Sequence, residues 1–342
     1  IHASAIAGNT GYAMVPGIDT LRKAVAKRVT QRTGVPTEIE NVMITTGGQA
    51  ALYAAHTATC DPGDTALYVE PYYATYPSTL RAQNLTAVSV PTHAEYGFEP
   101  LKINLEPLML GARSLLINSP NNPSGTVYSR QTHEMIADLC KKYDLWLISD
   151  EVYDTQVWDG MHFSPRALPE MAERSLVIGS MSKSHAMTGS RVGWIVGPKD
   201  MISKLVDLAT NTTYGVPGYI QEGALFALSL GSSFEEQIGA PFRRRRQIAL
   251  DILREFPAVR AIDPKGAMYL MVDIRATGLS GDAFANRLLD KRQIAVMPGE
   301  SFGASAEGYL RIAMTIDDDR FASALKTLCE FATQLASELT HG

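Results

Sequence analysis

A short polar segment between two apolar runs combines two hydroxyls, a primary amine and a guanidinium. Its members are Ser180, Ser182, Lys183 and Arg191. The apolar runs on either side predict buried strands, and α/β enzymes hold their chemistry in loops at strand ends. Hydroxyls and a guanidinium suit an anionic phosphate, and an amine is a nucleophile. By itself, the segment is equally compatible with a surface loop in which the lysine and the arginine are solvated.

Four other predicted strands also end in polar or aromatic residues. The turn at Gly47-Gly48 precedes a predicted helix, whose first N–H groups could hold a phosphate, although tight turns need glycine anyway. Three tyrosines, including Tyr73, follow the next strand, where core packing and stacking on a flat ring are both open. The other two strands are followed by the polar turn 118–125 and by the pair Asp150 and Tyr153.

Apolar runs and helical periodicities alternate along the first two thirds of the chain. Strands are predicted at 43–46, 66–69, 87–90, 114–117, 145–149, 175–179 and 192–196, and helices at 19–33, 48–59, 131–143, 199–209, 220–230 and 233–255. Asp19 or Thr20 is the expected N-cap of the first helix. The alternation predicts a three-layer α/β/α domain with a mostly parallel sheet, and a site along the carboxyl edges of its strands.

The last third of the chain predicts a smaller α+β C-terminal domain. Its expected strands are 268–272 and 309–314. The predicted division is a large domain, 12–240, and a small domain, 241–342, with a further N-terminal segment joining the two. That segment is expected because the chain begins at Ile1 rather than at a methionine.

The composition excludes several classes of function. The 342 residues are 45% hydrophobic and 20% charged, and the net charge of −5 provides no basic field for nucleic acid or an acidic membrane surface. The arginine run 243–246 is interpreted as a solvated or interface face of a helix. No apolar run approaches the roughly 18–20 residues of a membrane span. Three widely spaced cysteines are expected to be free thiols in a reducing, cytoplasmic environment, and no His-x-x-x-His pair supports a metal site.

Taken together, the motifs form a specific set in one order. They are Tyr12-x-x-x-Pro16-Gly17, Gly47-Gly48-Gln49, Tyr73, the turn 118–125, Asp150-x-x-Tyr153, Ser180-x-Ser182-Lys183 with Arg191, Pro298-Gly299-x-x-Phe302-Gly303, and Arg311. In order and spacing the set resembles the class I/II aminotransferases, which are pyridoxal-phosphate enzymes of fold type I. The resemblance covers nearly the whole chain.

The resemblance implies a role for each cofactor residue. Lys183 would bind pyridoxal 5'-phosphate covalently and later move a proton, and Asp150 would keep the ring nitrogen protonated. Asn122 and Tyr153 would hydrogen-bond the phenolic oxygen of the ring, and Tyr73 would stack on its face. The phosphate would be held by the Gly48 and Gln49 backbone amides, the Ser180 and Ser182 hydroxyls and the Arg191 guanidinium.

The resemblance also implies a substrate site and a homodimer. Arg311 would bind the substrate α-carboxylate as a fork, beside Asn122. Tyr12 would reach the phosphate of the neighbouring subunit, which places the active sites at a dimer interface. Proline bonds in this family are often cis at positions that correspond here to Glu70–Pro71 and Asn122–Pro123. The N-terminal segment that normally covers the substrate is expected before Ile1.

The predicted activity is a two-step transfer of an amino group between an L-amino acid and a 2-oxo acid. A β-lyase that uses the same cofactor, and a non-catalytic regulator that senses it, are the alternatives. Aspartate, alanine, methionine and aromatic donors all remain open. Gln49 weakens the case for aspartate, because some aspartate-using members carry a lysine there that engages the distal carboxylate. Ser124 replaces the usual threonine of its turn, and His185 is not assigned as a base because Lys183 fills that role.

Overall fold

The computed structural model describes residues 1–341, which contain two β-sheets. The strands of the large sheet are β1 (Val42–Thr45), β2 (Thr65–Val69), β3 (Thr86–Val90), β4 (Ala112–Asn118), β5 (Trp146–Asp150), β6 (Ser175–Ser180) and β7 (Gly193–Val196). They lie in the order β1-β7-β6-β5-β4-β2-β3. β7 is antiparallel to both of its neighbours, and the other pairs are parallel. The predicted mostly parallel sheet is therefore confirmed.

The small sheet is antiparallel throughout. It contains β8 (Arg260–Ile262), β9 (Tyr269–Asp273), β10 (Met297–Pro298) and β11 (Tyr309–Ala313). Their order is β10-β11-β9-β8. The described helices are α1 (His2–Ile6), α2 (Asp19–Thr33), α3 (Gly48–Thr59), α4 (Tyr76–Arg81), α5 (Lys102–Met109), α6 (Arg130–Tyr143), α7 (Met181–Ser184), α8 (Lys199–Thr210), α9 (Gly218–Ser229), α10 (Gly231–Arg254), α11 (Gly281–Arg292) and α12 (Asp318–His341).

Helices cover both faces of the large sheet. On one face α3 and α8 bury Leu52 and Leu205 against Ile148. On the other face, α5 and α6 pack on the β2–β4–β5 part of the sheet, while α2 and α9 pack on β1, β6 and β7. This is the predicted three-layer arrangement, in which apolar burial on both faces excludes water from the strands.

The smaller C-terminal domain has a core of its own. Its sheet is covered by α10, α11 and α12, which bury Phe284 and Phe321 against Leu270 and Leu310. The predicted domain boundary at residue 240 lies within α10, which carries the chain from one sheet to the other. The division into 12–240 and 241–342 stays a prediction.

The predicted N-cap of the first helix is wrong. α2 begins at Asp19, but the capping position is Ile18, whose side chain makes no capping bond. The Ile18 backbone N–H donates instead to Gln221 Oε1 at 2.8 Å. The backbone N–H next to the helix start is therefore satisfied by a side chain about two hundred residues away. Local sequence does not reveal such a partner.

Ion pairs within the protein account for the arginine run 243–246. Arg244 and Arg245 pair with Asp318, and Arg246 pairs with Asp263. Arg243 lies near Glu236. These arginines therefore bind acidic side chains within the protein itself. Within residues 1–341, no helix has the length and apolar character needed to cross a membrane.

Candidate active site

One cavity of about 270 Å³ lies at the carboxyl edge of the large sheet. Ten of the twelve predicted site residues line it, namely Gly48, Gln49, Tyr73, Asn122, Asp150, Tyr153, Ser180, Ser182, Lys183 and Arg191. Arg311 adjoins it through a hydrogen bond to Asn122. Tyr12 is not in the cavity wall. The cavity forms because β1, β2, β4, β5 and β6 all end at this edge of the sheet.

Asp150, the last residue of β5, is a buried carboxyl group. It is 4% exposed and accepts hydrogen bonds from the Tyr76 hydroxyl at 2.7 Å and from the Val152 backbone N–H at 3.2 Å. Burial raises the pKa of Asp150 to about 6, although both hydrogen bonds and Lys183 act in the opposite direction. No cationic group in the described part of the chain forms an ion pair with it.

The turn after β4 is fixed by Asn118. The Asn118 side chain donates to the Asp150 carbonyl at 3.0 Å and accepts from the Asn122 backbone N–H at 2.8 Å. Ser124 is compatible with this turn, because its hydroxyl lies 2.7 Å from Asn121 Oδ1. The peptide bonds before Pro71 and Pro123 are cis as predicted, and the bond before Pro120 is cis as well.

Lys183 belongs to the single helical turn α7. Ser180 caps this turn by accepting from the Ser182 backbone N–H at 3.1 Å, and Gln156 donates to the Lys183 carbonyl at 3.3 Å. The amine lies 5.8 Å from the centre of the Tyr153 ring. The backbone of the lysine is therefore held at both ends of the turn, and the residue lines the cavity.

Close backbone packing shapes the end of the cavity at the start of α3. Gly47 has φ +86°, and a Cβ there would lie 2.5 Å from Arg191 Nη2. A Cβ at Gly193 would lie 2.8 Å from the Gly47 carbonyl carbon and 2.9 Å from the Gly48 nitrogen. A side chain at position 193 would displace the backbone at the helix start, and one at position 47 would be strained at this positive φ and would displace the Arg191 guanidinium.

Arg191 closes the same end of the cavity. Its guanidinium donates to the Thr188 carbonyl at 2.8 Å and approaches the Thr46 carbonyl at 3.5 Å. The residue itself has φ +52°, a conformation that is uncommon for a side chain of this size. The guanidinium, the Ser182 side chain and the first amides of α3 thus converge on one small volume.

Arg311 is held between two aromatic rings. The guanidinium carbon lies 4.5 Å from the centre of the Tyr269 ring and 4.8 Å from that of Phe302. Nη1 donates to Asn122 Oδ1 at 3.0 Å, and the buried Nε has no hydrogen-bond partner within the described residues. Ring faces hold a guanidinium plane without using its donors.

Lys183, Arg191 and Arg311 lack acidic partners. None of the three forms an ion pair in the portion of the chain that the structure describes, whereas Arg244, Arg245 and Arg246 do. Lys183 and Arg311 are half-buried, and Arg191 is exposed at the end of the cavity. The positive charge of each is therefore free to meet an anionic ligand.

Two predicted residues have surroundings that the sequence did not indicate. The Gln49 side chain is held by two hydrogen bonds: its amide donates to Thr79 Oγ1 at 2.7 Å and accepts from Thr75 Oγ1 at 3.0 Å. Tyr12 is 90% exposed and contacts the Tyr214 ring edge-on, with a centroid distance of 5.0 Å.

Comparison with known proteins gives one family. The model of the family "Aminotransferase class I and II" matches residues 1–328. The chain belongs to this family. The arginine–pyruvate transaminase of Pseudomonas aeruginosa is 41% identical over 336 residues, which are 98% of this chain and 86% of the relative. The aspartate/prephenate aminotransferase of Thermus thermophilus is 33% identical, over 93% of this chain and 82% of the relative.

The fold comparison agrees with this assignment. The aromatic aminotransferase of Pyrococcus horikoshii superposes with a TM-score of 0.93 at 30% identity, covering 97% of this chain and 90% of that one. The predicted activity is confirmed: the protein is an aminotransferase, which transfers an amino group between an amino acid and a 2-oxo acid.

Six lining residues of this aminotransferase were not predicted from the sequence, and the side chains of three of them support the site. Tyr76 supports Asp150, Asn118 fixes the turn, and Tyr269 packs on Arg311. Asn118 and Tyr76 lie within segments that were already singled out, so their position at strand ends was the available signal. Tyr269 lies on a small-domain strand and carried no such signal. His185 does not line the cavity; its Nδ1 lies 2.8 Å from Ser184 Oγ instead.

Proposed function

We propose that this aminotransferase uses pyridoxal 5'-phosphate, bound in the cavity between Asp150, Lys183 and Arg191. The observation that carries the proposal is a buried carboxyl group at the base of a cavity that Lys183 and Arg191 also line, neither of which has an acidic partner in the described part of the chain. A ligand with a positive ring nitrogen for Asp150, an anionic phosphate for Arg191 and a carbonyl carbon for Lys183 would meet all three groups.

The ring nitrogen of the cofactor fits Asp150. A buried carboxyl group with a pKa near 6 gains more from a cationic partner than a solvated one does, because the surrounding protein screens the attraction weakly. The Tyr76 hydroxyl donates to Asp150 Oδ2, and the Val152 backbone N–H donates to Oδ1 at 3.2 Å. Each carboxylate oxygen accepts more than one hydrogen bond, so the group can also receive one from a protonated ring nitrogen.

The phosphate fits the opposite end of the cavity. The first amides of α3, at Gly48 and Gln49, point out of the helix, where the helix dipole favours negative charge. Ser180, Ser182 and Arg191 add hydroxyl and guanidinium donors on the facing wall. Asn122 and Tyr153 are left to hydrogen-bond the phenolic oxygen, and Tyr73 to cover one ring face.

Lys183 is the residue that we assign to proton transfer. When bound, pyridoxal phosphate withdraws electrons from the α-carbon of the amino acid attached to it, so that the α-proton becomes acidic. The Lys183 amine would first hold the cofactor covalently and then take up that proton and return it. The tethered backbone of α7 keeps the amine within the cavity through both steps.

Arg311 and Asn122 would bind the substrate α-carboxylate. The guanidinium plane is fixed by the two rings, and one of its donors already contacts Asn122 Oδ1. The remaining donors can meet both carboxylate oxygens as a fork, which a lysine cannot do. Binding at this point would orient the α-carbon with respect to the amine of Lys183.

We propose arginine as the amino donor and pyruvate as the acceptor. The support is the 41% identity to an arginine–pyruvate transaminase. Gln49 adds to it, because a neutral amide tied to Thr75 and Thr79 provides no positive charge for a distal carboxylate such as that of aspartate.

A half-reaction screen tests the proposal. The purified holoenzyme is mixed with arginine, aspartate, alanine, methionine or an aromatic amino acid, and the visible absorbance of the cofactor is followed. Arginine should bleach it fastest, and pyruvate should restore it. A colourless protein that takes up no pyridoxal phosphate would contradict the cofactor assignment. Release of ammonia and pyruvate from cysteine without any 2-oxo acid would indicate the β-lyase activity instead.

We also propose that the enzyme is a cytoplasmic homodimer in which Tyr12 reaches the phosphate of the partner subunit. The support is an aromatic side chain that is 90% exposed next to Tyr214, since large exposed apolar groups mark interfaces. Three buried free thiols suit a reducing compartment. Sedimentation of the holoenzyme tests the dimer, and cofactor affinity of Tyr12→Ala tests the shared site.

A further inference from the structure

The loop 302–305, which follows β10, carries the second ring of the Arg311 sandwich. Phe302 is fully buried and lies against Arg311, whereas the first ring, Tyr269, belongs to β9 beside the arginine's own strand. The sheet fixes Tyr269 relative to Arg311. The position of Phe302 depends on what holds the loop.

Three hydrogen bonds hold the loop 302–305 to the large domain. The Glu70 carboxylate accepts from the Ser305 backbone N–H at 2.8 Å, and Ser305 Oγ accepts from the Thr92 backbone N–H at 3.1 Å. The Tyr72 backbone N–H donates to the Phe302 carbonyl at 2.9 Å. Within the large domain, Thr92 Oγ1 donates to the Glu70 carbonyl at 2.7 Å, so the two residues that bind Ser305 are also joined to each other.

Glu70 is the central residue of these contacts. It is 6% exposed, and among the five residues that make them it is the only one with a charged side chain. Gly303 lies directly against it: Gly303 has φ +113°, and a Cβ there would lie 2.7 Å from the Glu70 carboxyl carbon. The loop backbone therefore packs on the carboxylate with no space between them.

We infer that Glu70 is a positioning residue for substrate binding: it holds the loop 302–305 against the large domain, so that Phe302 fixes the plane of the Arg311 guanidinium. This inference rests on the proposed role of Arg311. A guanidinium that can rotate loses the parallel fork geometry that a carboxylate requires. Glu70 therefore affects the affinity for both substrates, since both carry the same α-carboxylate, and leaves cofactor binding unchanged.

Kinetics of the Glu70→Ala holoenzyme tests the inference. The KM values for the amino acid and for the 2-oxo acid should both rise about tenfold, as for the loss of one hydrogen bond to a charged group, while kcat changes little. The cofactor absorbance and its dissociation constant should equal those of the wild type. Glu70→Gln should restore most of the affinity, because the amide oxygen can still accept from Ser305.

A matched control variant separates positioning from general destabilisation. Glu99 is also a carboxylate that accepts from a backbone N–H, that of Ser129 at 3.1 Å, but it serves the start of α6. Glu99→Ala should lower the thermal midpoint without raising either KM. Ser305→Ala is a milder variant of the loop, which removes only the Thr92 bond, and it should raise both KM values about threefold.

Arg311→Lys separates a failure of the Glu70 inference from a failure of the proposed role of Arg311. If Arg311→Lys raises both KM values and Glu70→Ala raises neither, the proposed function stands and the positioning role of Glu70 is overturned. If Arg311→Lys leaves both KM values unchanged, Arg311 does not bind the carboxylate, and the inference falls with that role. Equal KM increases for Glu70→Gln and Glu70→Ala would show that charge, rather than the bond to the loop, acts at a distance, and would also overturn it.

Discussion

The two ends of the active-site cavity are built in different ways. At the Asp150 end, the supporting contacts come from the ends of strands of the large sheet and from segments that follow them, as in the bonds of Asn118 and Tyr76 to Asp150. At the Arg311 end, the supporting contacts join the small domain to the large one, through Asn122 and the loop 302–305. The first end is fixed by one sheet, whereas the second depends on how two sheets are held together.

The difference separates two kinds of kinetic effect. Groups at the Asp150 end would act on the chemistry of the cofactor and should change kcat. Groups at the Arg311 end would act on substrate affinity and should change KM. The following substitutions test whether this division holds.

The largest effect is expected at the Asp150 end. Asp150→Asn keeps the size of the side chain but removes the negative charge that would hold a proton on the ring nitrogen. We expect kcat to fall about 10²–10³-fold, as for the loss of a single preorganised electrostatic contact, with KM nearly unchanged. Steady-state kinetics on the cofactor-loaded variant measures this. If the variant had the kcat of the wild type, Asp150 would have no role in the chemical step.

The next effect is expected at the Arg311 end. Arg311→Lys keeps the charge but loses the planar fork, so that one charge-assisted hydrogen bond is lost. We expect kcat/KM to fall about 10–100-fold, mainly through KM and equally for donor and acceptor. A change confined to kcat would contradict the division between the two ends.

A smaller effect is expected from Tyr76→Phe. The Tyr76 hydroxyl lowers the pKa of Asp150, which burial raises to about 6. Without the hydroxyl, that pKa should rise further. Because the carboxyl group attracts a protonated ring nitrogen only when ionised, cofactor affinity should decline on acidification through this pKa, and the decline should begin at a higher pH in the variant.

Cofactor titrations between pH 5 and pH 8 measure this effect. Affinity at neutral pH should fall about tenfold, which corresponds to one hydrogen bond to a buried charge. Tyr72→Phe is a suitable control, since Tyr72 packs edge-on against Tyr68 outside the cavity wall. Identical pH profiles for Tyr76→Phe and the wild type would show that the hydroxyl does not act on Asp150.

The smallest effect concerns the helices that cover the large sheet. Burial lowers the pKa of His56 on α3 and of His133 on α6 to about 3, from an ordinary value of 6.5. The unfolded chain therefore binds more protons between these values, and the free energy of unfolding should fall as the pH drops below 6.5. Each histidine contributes about 1.4 kcal/mol per pH unit within that window.

His133→Phe should reduce this dependence. His133 lies between the rings of Tyr128 and Phe163, so that a phenyl ring can occupy the same place without binding a proton. Urea denaturation at pH 6 and pH 5 should give a smaller difference in unfolding free energy than the wild type, by about 1.4 kcal/mol. An unchanged difference would mean that His133 does not carry the acid sensitivity.

Local sequence indicated which strand ends form the Asp150 end, but it did not indicate the long-range bonds that support either end. Residues that follow strands of one parallel sheet must meet at its edge, so the sequence alone predicts that Asp150, Asn122 and Lys183 lie together. The bonds of Tyr76 to Asp150, and of Glu70 to Ser305, join residues 74 and 235 positions apart. No periodicity encodes such pairs, because they depend on how finished elements pack.

The contact between Gly193 and the Gly47–Gly48 backbone has a consequence for enzyme engineering. Even a methyl group at position 193 would meet peptide atoms below 3 Å on two sides, and those atoms belong to the main chain, so no rotamer can relieve the overlap. A mutational library that seeks new donor amino acids should therefore keep Gly47, Gly48 and Gly193 constant and vary the side chain of Gln49, which lines the cavity and is held by the side chains of Thr75 and Thr79.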